Sequence, residues 1–264
     1  MPITISTRFD FTVEQPTDII LQFEAADIPE QTLLSSDTSL STSEHCARVP
    51  AHDGIGERVL IRADGKFEVA YDAVVEVTRL TPDIAPLAQL APHELPEDAL
   101  EYLLDSTYCP ADRFQSIVED EFADTSGGAR IMAIHDWIVA HMTYESGSST
   151  STTTALDSYV ERRGICRDFA HVLVTMARAS TIPARYVSCF APGVTPPDFH
   201  AVAEVFLADA TTPGGGAWYI VDATRMAEPH ETVKIGVGRD AADVSFLTSF
   251  GPSQFGRKTV TVTR

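Results

Sequence analysis

The chain has 264 residues, 44% of them hydrophobic, and carries 38 Asp and Glu against 19 Lys and Arg, a formal net charge of −19. That length suits one large domain or two modest ones, each able to bury a core. A surface this acidic repels phosphate backbones and anionic lipid. No apolar run approaches the roughly 20 residues needed to span a bilayer, and Met1 to Phe9 shows no basic segment followed by an apolar one. The expectation is therefore no nucleic-acid partner, no membrane partner and a cytoplasmic location. Cys46, Cys109, Cys166 and Cys189 are scattered, with no Cys-x-x-Cys pair. Neither a zinc site nor a disulfide framework is expected, and nothing in the sequence asks for a metal or cofactor.

The first 80 residues read as strands. Ile3 to Phe11 alternates, Asp18 to Phe23 is a short apolar run, and Val59–Ala63 and Phe67–Tyr71 flank Asp64-Gly65-Lys66, a hairpin signal. Val74 to Leu80 gives a further strand. Several short strands with polar turns predict an antiparallel sandwich over 1–80. Residues 81–97, rich in Pro and Ala, read as a linker. A second domain is expected over 98–264. Asp112–Phe122 and Ala129–Met142 have helical spacing, and Ser146–Thr154 is a Ser/Thr-rich loop. Thr154-Ala155-Leu156-Asp157 is a capping-box start with Asp in place of Glu. Phe169, Val172, Leu173, Met176, Ala177 and Ser180 trace one face of a helix that begins at Cys166 and ends before Pro183. Strands follow over Ala184–Phe190, His200–Leu207 and Trp218–Asp222, joined by loops that include residues 213–216. The order is α+β, helices packed on an antiparallel sheet.

Cys166 thus stands at a helix N-terminus, where free N–H groups and the helix dipole favour an anion, and a thiolate is the nucleophile. Gly164 permits the sharp turn that exposes the sulfur. His200 begins one strand and Asp222 ends the next, so antiparallel pairing brings them together. A base within reach of the thiol and a third group orienting that base are what a cysteine nucleophile requires.

The stretches Gly164-Ile165-Cys166-Arg167-Asp168-Phe169-Ala170-His171, Ile182-Pro183-Ala184-Arg185-Tyr186-Val187-Ser188, Asp198-Phe199-His200-Ala201-Val202-Ala203-Glu204 and Trp218-Tyr219-Ile220-Val221-Asp222-Ala223-Thr224-Arg225 resemble the transglutaminase-like superfamily. This is the papain-related fold of transglutaminases, bacterial cysteine proteases and peptide N-glycanases. Leu103 to Cys109 and Ile134 to Tyr144 also resemble bacterial members, as does the β-rich start. The family order Cys, His, Asp maps onto Cys166, His200 and Asp222. Three positions depart from the usual pattern: Thr181 replaces a glycine, Val202 an aromatic residue two past the histidine, and Ala223 a proline.

The resemblance implies acyl transfer through a thioester on Cys166, with a peptide or protein substrate. Water as acceptor gives a cysteine protease or amidase; an amine gives transglutaminase activity. Tyr144 is a candidate second oxyanion donor beside the Cys166 N–H or a plain core aromatic, and Glu204, on the strand of His200, is a candidate substrate contact or an ion-pair partner of Arg185. Asp168 reads as a favourable charge at the helix start, His171 as a packing residue, and His45 and His52 lack further metal ligands. The competing reading is a non-catalytic peptide- or protein-binding module that uses the same groove. The sequence leaves open a homo-oligomer and the choice between hydrolysis and cross-linking.

Overall fold

The structure is a computed structural model and describes residues 1–212 and 215–264. Residues 213 and 214 of the expected 213–216 loop lie outside the described residues. Two long strands, β1 (Ile3–Leu21) and β4 (Glu57–Val77), pair antiparallel from Ile3↔Val75 to Leu21↔Val59 with one interruption. Between them in the chain, β2 (Gln31–Leu40) and β3 (His45–Pro50) add to successive stretches of β4. Alternation decides which face of β1 is buried: Ile3, Ile5, Phe9, Phe11 and Val13 all point into the core. The expected hairpin at Asp64-Gly65-Lys66 does not form; β4 runs straight through it. Gly65 has φ +69° while Asp64 and Lys66 stay extended, and the pairing register of β1 shifts between Val13 and Thr17 directly opposite. A single left-handed glycine bends a strand, whereas a two-residue hairpin of the common type needs two positive φ values. Both arms of the bent sheet pack on one buried cluster that includes Phe11, Phe67, Leu21 and Ile61. The expected sandwich takes the form of one bent sheet.

Residues 78–96 form no strand but are packed: Ile84 is buried, and the Leu87 and Ala88 carbonyls accept from Gly128 and Ala208. Then come α1 (Glu97–Leu100), α2 (Gln115–Phe122), α3 (Gly127–His141), β5 (Thr143–Tyr144), α4 (Ala155–Glu161), β6 (Arg163–Gly164) and α5 (Cys166–Ala179). The predicted capping box opens α4, with Asp157 accepting from the Thr154 N–H at 2.8 Å. Helix α5 is buried on nearly every side, packing on α3 and α4 and on a sheet of order β10-β7-β8-β9. In that sheet, β7 (Ala184–Phe190), β8 (His200–Ala208) and β9 (Gly216–Val221) lie where expected, and β10 (Val233–Gly238) joins the far side of β7. Thr181, between α5 and β7, has φ +60°, the left-handed region that explains why glycine is the usual residue there.

Residues 247–264 were expected with the second domain, but their strands join the first sheet. β11 (Leu247–Ser249) and β12 (Ser253–Thr263) pair with β1, from Leu21↔Leu247 to Thr4↔Thr263. β12 is mostly exposed, with Val260 its one buried residue, so it lacks the alternation that announces a strand.

A network of charges centred on three buried residues links the second sheet to the loops beside the first. Glu204 on β8 is fully buried and pairs with Arg185 of β7 at 2.8 Å and with Lys234 of β10. Lys234 also reaches Glu30, which binds Arg79 at 2.9 Å, and Arg185 reaches Asp53 at 2.8 Å. Burial disfavours the Glu204 carboxylate, but Lys234 and Arg185 together hold its pKa below the usual range. Removing one partner of such a set strands the others in a dry interior, at a cost of about 3–5 kcal/mol. Glu204→Ala is expected to lower unfolding free energy by that amount in urea titration; a loss below about 1 kcal/mol would show that the network contributes little.

Candidate active site

Helix α5 begins at Cys166 because the chain before it is pinned. The buried Asp168 carboxylate accepts from the Ile165 N–H at 2.8 Å and from the Ser149 hydroxyl at 2.9 Å. A Cβ on Gly164 would lie 2.5 Å from the Asp168 Cβ, so only glycine allows the carboxyl to fold back there. Arg167 holds the Ser149 hydroxyl at 2.6 Å and binds the Thr150 carbonyl, so residues 167 and 168 tie the Ser/Thr-rich loop to the helix start. The expected role of Asp168 at the helix start agrees with this geometry.

The strand register brings His200 and Asp222 together. β8 and β9 pair from Ala203↔Val221 to Ala208↔Gly216, which leaves Asp222 just beyond β9 alongside the start of β8. His200 Nε2 lies 3.0 Å from Asp222 Oδ2, and both residues are buried. Nδ1 is buried with no hydrogen-bond partner among the described residues, which leaves it for the Cys166 thiol beside the ring. Burial works against a charged imidazole, but the hydrogen bond to Asp222 and the interaction with Cys166 push the His200 pKa up to about 9.

Asp222 is itself held by several donors. Its oxygens accept from the Thr224 N–H at 2.8 Å, the Met226 N–H at 3.1 Å and the Ala227 N–H at 2.8 Å, and the Thr224 hydroxyl lies at 2.7 and 2.9 Å. Burial raises the carboxyl, yet His200 and then Thr224 keep it below its usual pKa. Thr224 also approaches His200 Nε2 at 3.4 Å. Sequence reading missed Thr224; the signal was there, since Asp followed two residues on by Thr marks a turn closed by side chains.

Cys166, His200 and Tyr144 line one cleft of about 710 Å³. The Tyr144 hydroxyl lies beside the Cys166 thiol and backbone N–H, and burial together with the thiol pushes the phenol up to about 12, so it keeps its proton as a donor. Glu204 does not reach the cleft; its carboxylate is spent on Arg185 and Lys234, and the candidate substrate contact is corrected to the structural ion pair. Val202 and Ala223, two of the three departures, are buried core residues that do not line the cleft. His171 is fully buried and kept neutral by burial and by Arg167 and Arg178; its Nε2 accepts from the Ala241 N–H at 3.2 Å, fixing a segment that walls the cleft. His52, Asp53 and Glu101 bring ligand atoms within 4.8 Å of one another, but Asp53 accepts from Tyr102 at 2.7 Å and Arg185 at 2.8 Å and so belongs to the charge network.

Comparison with known proteins agrees with this arrangement. The Transglutaminase-like superfamily model matches residues 115–223. The crystal structure of a protein from Cytophaga hutchinsonii, described as a "putative cysteine protease", superposes with a TM-score of 0.89 at 31% identity, covering 100% of this chain and 90% of that one. An uncharacterized protein of Mycobacterium leprae is 27% identical over 190 residues, covering 69% of this chain and 67% of the relative. An uncharacterized protein of Mycobacterium tuberculosis is 32% identical over 117 residues, and that match spans 37% of its length. The chain belongs to the transglutaminase-like superfamily. No helix among the described residues is long and apolar enough to cross a membrane.

A folded-state pKa raised from 6.5 to about 9 means that the His200 imidazolium stabilises the fold fully below about pH 6.5 and loses that effect as pH rises through about 9. Histidine NMR titration should therefore show His200 with a midpoint near 9, and Asp222→Asn should lower that midpoint by at least one unit. An ordinary midpoint in the wild-type chain would contradict the pairing.

Proposed function

We propose that this chain is a cysteine-dependent hydrolase of amide or peptide bonds. The observation that carries the reading is a half-buried thiol at a helix N-terminus beside an imidazole that is hydrogen-bonded at 3.0 Å to a buried carboxylate. The Cys166 thiolate attacks the carbonyl carbon, and the carbonyl electron pair moves onto oxygen. The Cys166 N–H and the Tyr144 hydroxyl receive that oxyanion; one such donor is worth about 3 kcal/mol in comparable sites. His200 gives its proton to the leaving amine as the tetrahedral intermediate collapses to a thioester. His200 then takes a proton from water, which attacks the thioester and releases the acid. Asp222, fixed by Thr224, orients the ring and offsets its charge. Water is the acceptor in this reading because it is abundant and no cleft residue among the described residues marks an amine site. The location proposed with this reading is the cytoplasm, where four cysteines would stay free.

Iodoacetamide at mildly acidic pH is expected to label Cys166 ahead of Cys46, although Cys46 is the more exposed. Peptide hydrolysis should vanish in Cys166→Ala, and kcat/KM should fall as pH rises through about 9, where His200 loses the proton the leaving amine needs. Even labelling, or full hydrolysis by Cys166→Ala, would reject the reading; peptide binding without turnover would favour a binding module.

A further inference from the structure

The cleft is not walled by the second domain alone. Phe246 lies between β10 and β11, on the segment that leads back to the first sheet, and its ring stacks on Phe199 with centroids 5.0 Å apart and planes at 17°. Both rings line the cleft of Cys166, and Phe199 directly precedes His200. Phe255 on β12 meets Phe246 edge-on at 5.6 Å and is 42% exposed, so the aromatic surface continues outward from the cleft. Phe9 and Phe190 back the shelf, at 5.8 Å from Phe246 and 5.3 Å from Phe199, and hold it rigid. The cation at the shelf, Lys258 of β12, lies 5.8 and 5.6 Å from the Phe199 and Phe246 rings and is neutralised by Asp198 at 2.7 Å. An acidic chain has therefore placed beside its thiol a surface that is apolar and preformed, whose neighbouring charges Lys258 and Asp198 are paired with each other.

We infer that the Phe199–Phe246 shelf is the specificity subsite of this site, taking a large apolar side chain, aromatic or aliphatic, that flanks the scissile amide of a peptide substrate. The inference rests on the hydrolase reading above and adds the substrate class. Partly exposed rings held in place gain by covering apolar surface, and a preformed shelf loses little freedom in doing so. A charged side chain there would give up hydration, and the neighbouring charges Lys258 and Asp198 already pair with each other.

The test is a peptide set that differs only in the residue on each side of one amide, read by mass spectrometry, on the wild-type chain, Phe246→Ala and Phe246→Leu. Wild type should consume peptides with Phe, Tyr, Leu or Met at one flanking position at least tenfold faster than those with Asp or Lys. Phe246→Ala should reduce that ratio below threefold, chiefly through KM, and lower the rate on the Phe peptide by more than it lowers the rate of Cys166 alkylation by iodoacetamide. Phe246→Leu should keep most of the preference. Equal consumption of all peptides by wild type overturns the shelf and leaves the hydrolase reading standing, as does a preference unchanged in Phe246→Ala. Failure of wild type to cleave any peptide overturns both.

Discussion

The site depends on one buried helix whose two ends carry charge. At the N-terminus of α5, Asp168 closes on the Ile165 N–H; near the C-terminus, the almost fully buried Arg178 donates to the carbonyls of Ala184 at 2.9 Å, Leu104 at 2.9 Å and Arg239 at 2.6 Å. Both charges suit the helix dipole. Both also reach outward: the first holds the loop over one side of the cleft, the second holds the segment that begins its other wall. The position of the thiol and the shape of the groove around it are thus set by the same element, which the apolar residues of α3, β7 and β8 surround.

The strand-rich first sheet has a structural share in the site. β1 needs partners on both edges, β4 supplies one, and the chain's last residues supply the other. In running from β10 to β11 and β12 the chain passes the mouth of the cleft, which places Phe246, Leu247 and Lys258 along it. The buried Glu204, Arg185 and Lys234 then tie the second sheet to Glu30, Asp53 and Arg79 in the loops that flank the strands of the first.

Much of this was legible in the sequence, and the reason differs by residue. Cys166 could be placed because a helical face starts directly after it. His200 and Asp222 could be paired because two consecutive strands of similar length in an antiparallel sheet bring the start of one to the end of the other. For Glu204 the sequence leaves a substrate contact and an ion pair with Arg185 equally open, because its burial depends on Lys234, 30 residues further along in a segment without a clear pattern. The hairpin at Gly65 was misread because the same dipeptide signals a turn or a bulge, and only the facing strand decides between them. β11 and β12 were missed because edge strands facing solvent need no apolar alternation, and the aromatic wall was missed with them. Thr224 is a short-range motif whose meaning appears only once Asp222 is known to hold a ring.

In the proposed reaction Cys166 takes an acyl group from an amide. Intact-mass spectrometry of the acid-quenched protein, after seconds of mixing with excess peptide amide, tests this most directly. The account predicts a mass increase equal to the acyl fragment, mapped to Cys166 and absent in Cys166→Ala. An adduct on another residue, or release of amine with no adduct at any time and equal release by Cys166→Ala, would contradict it.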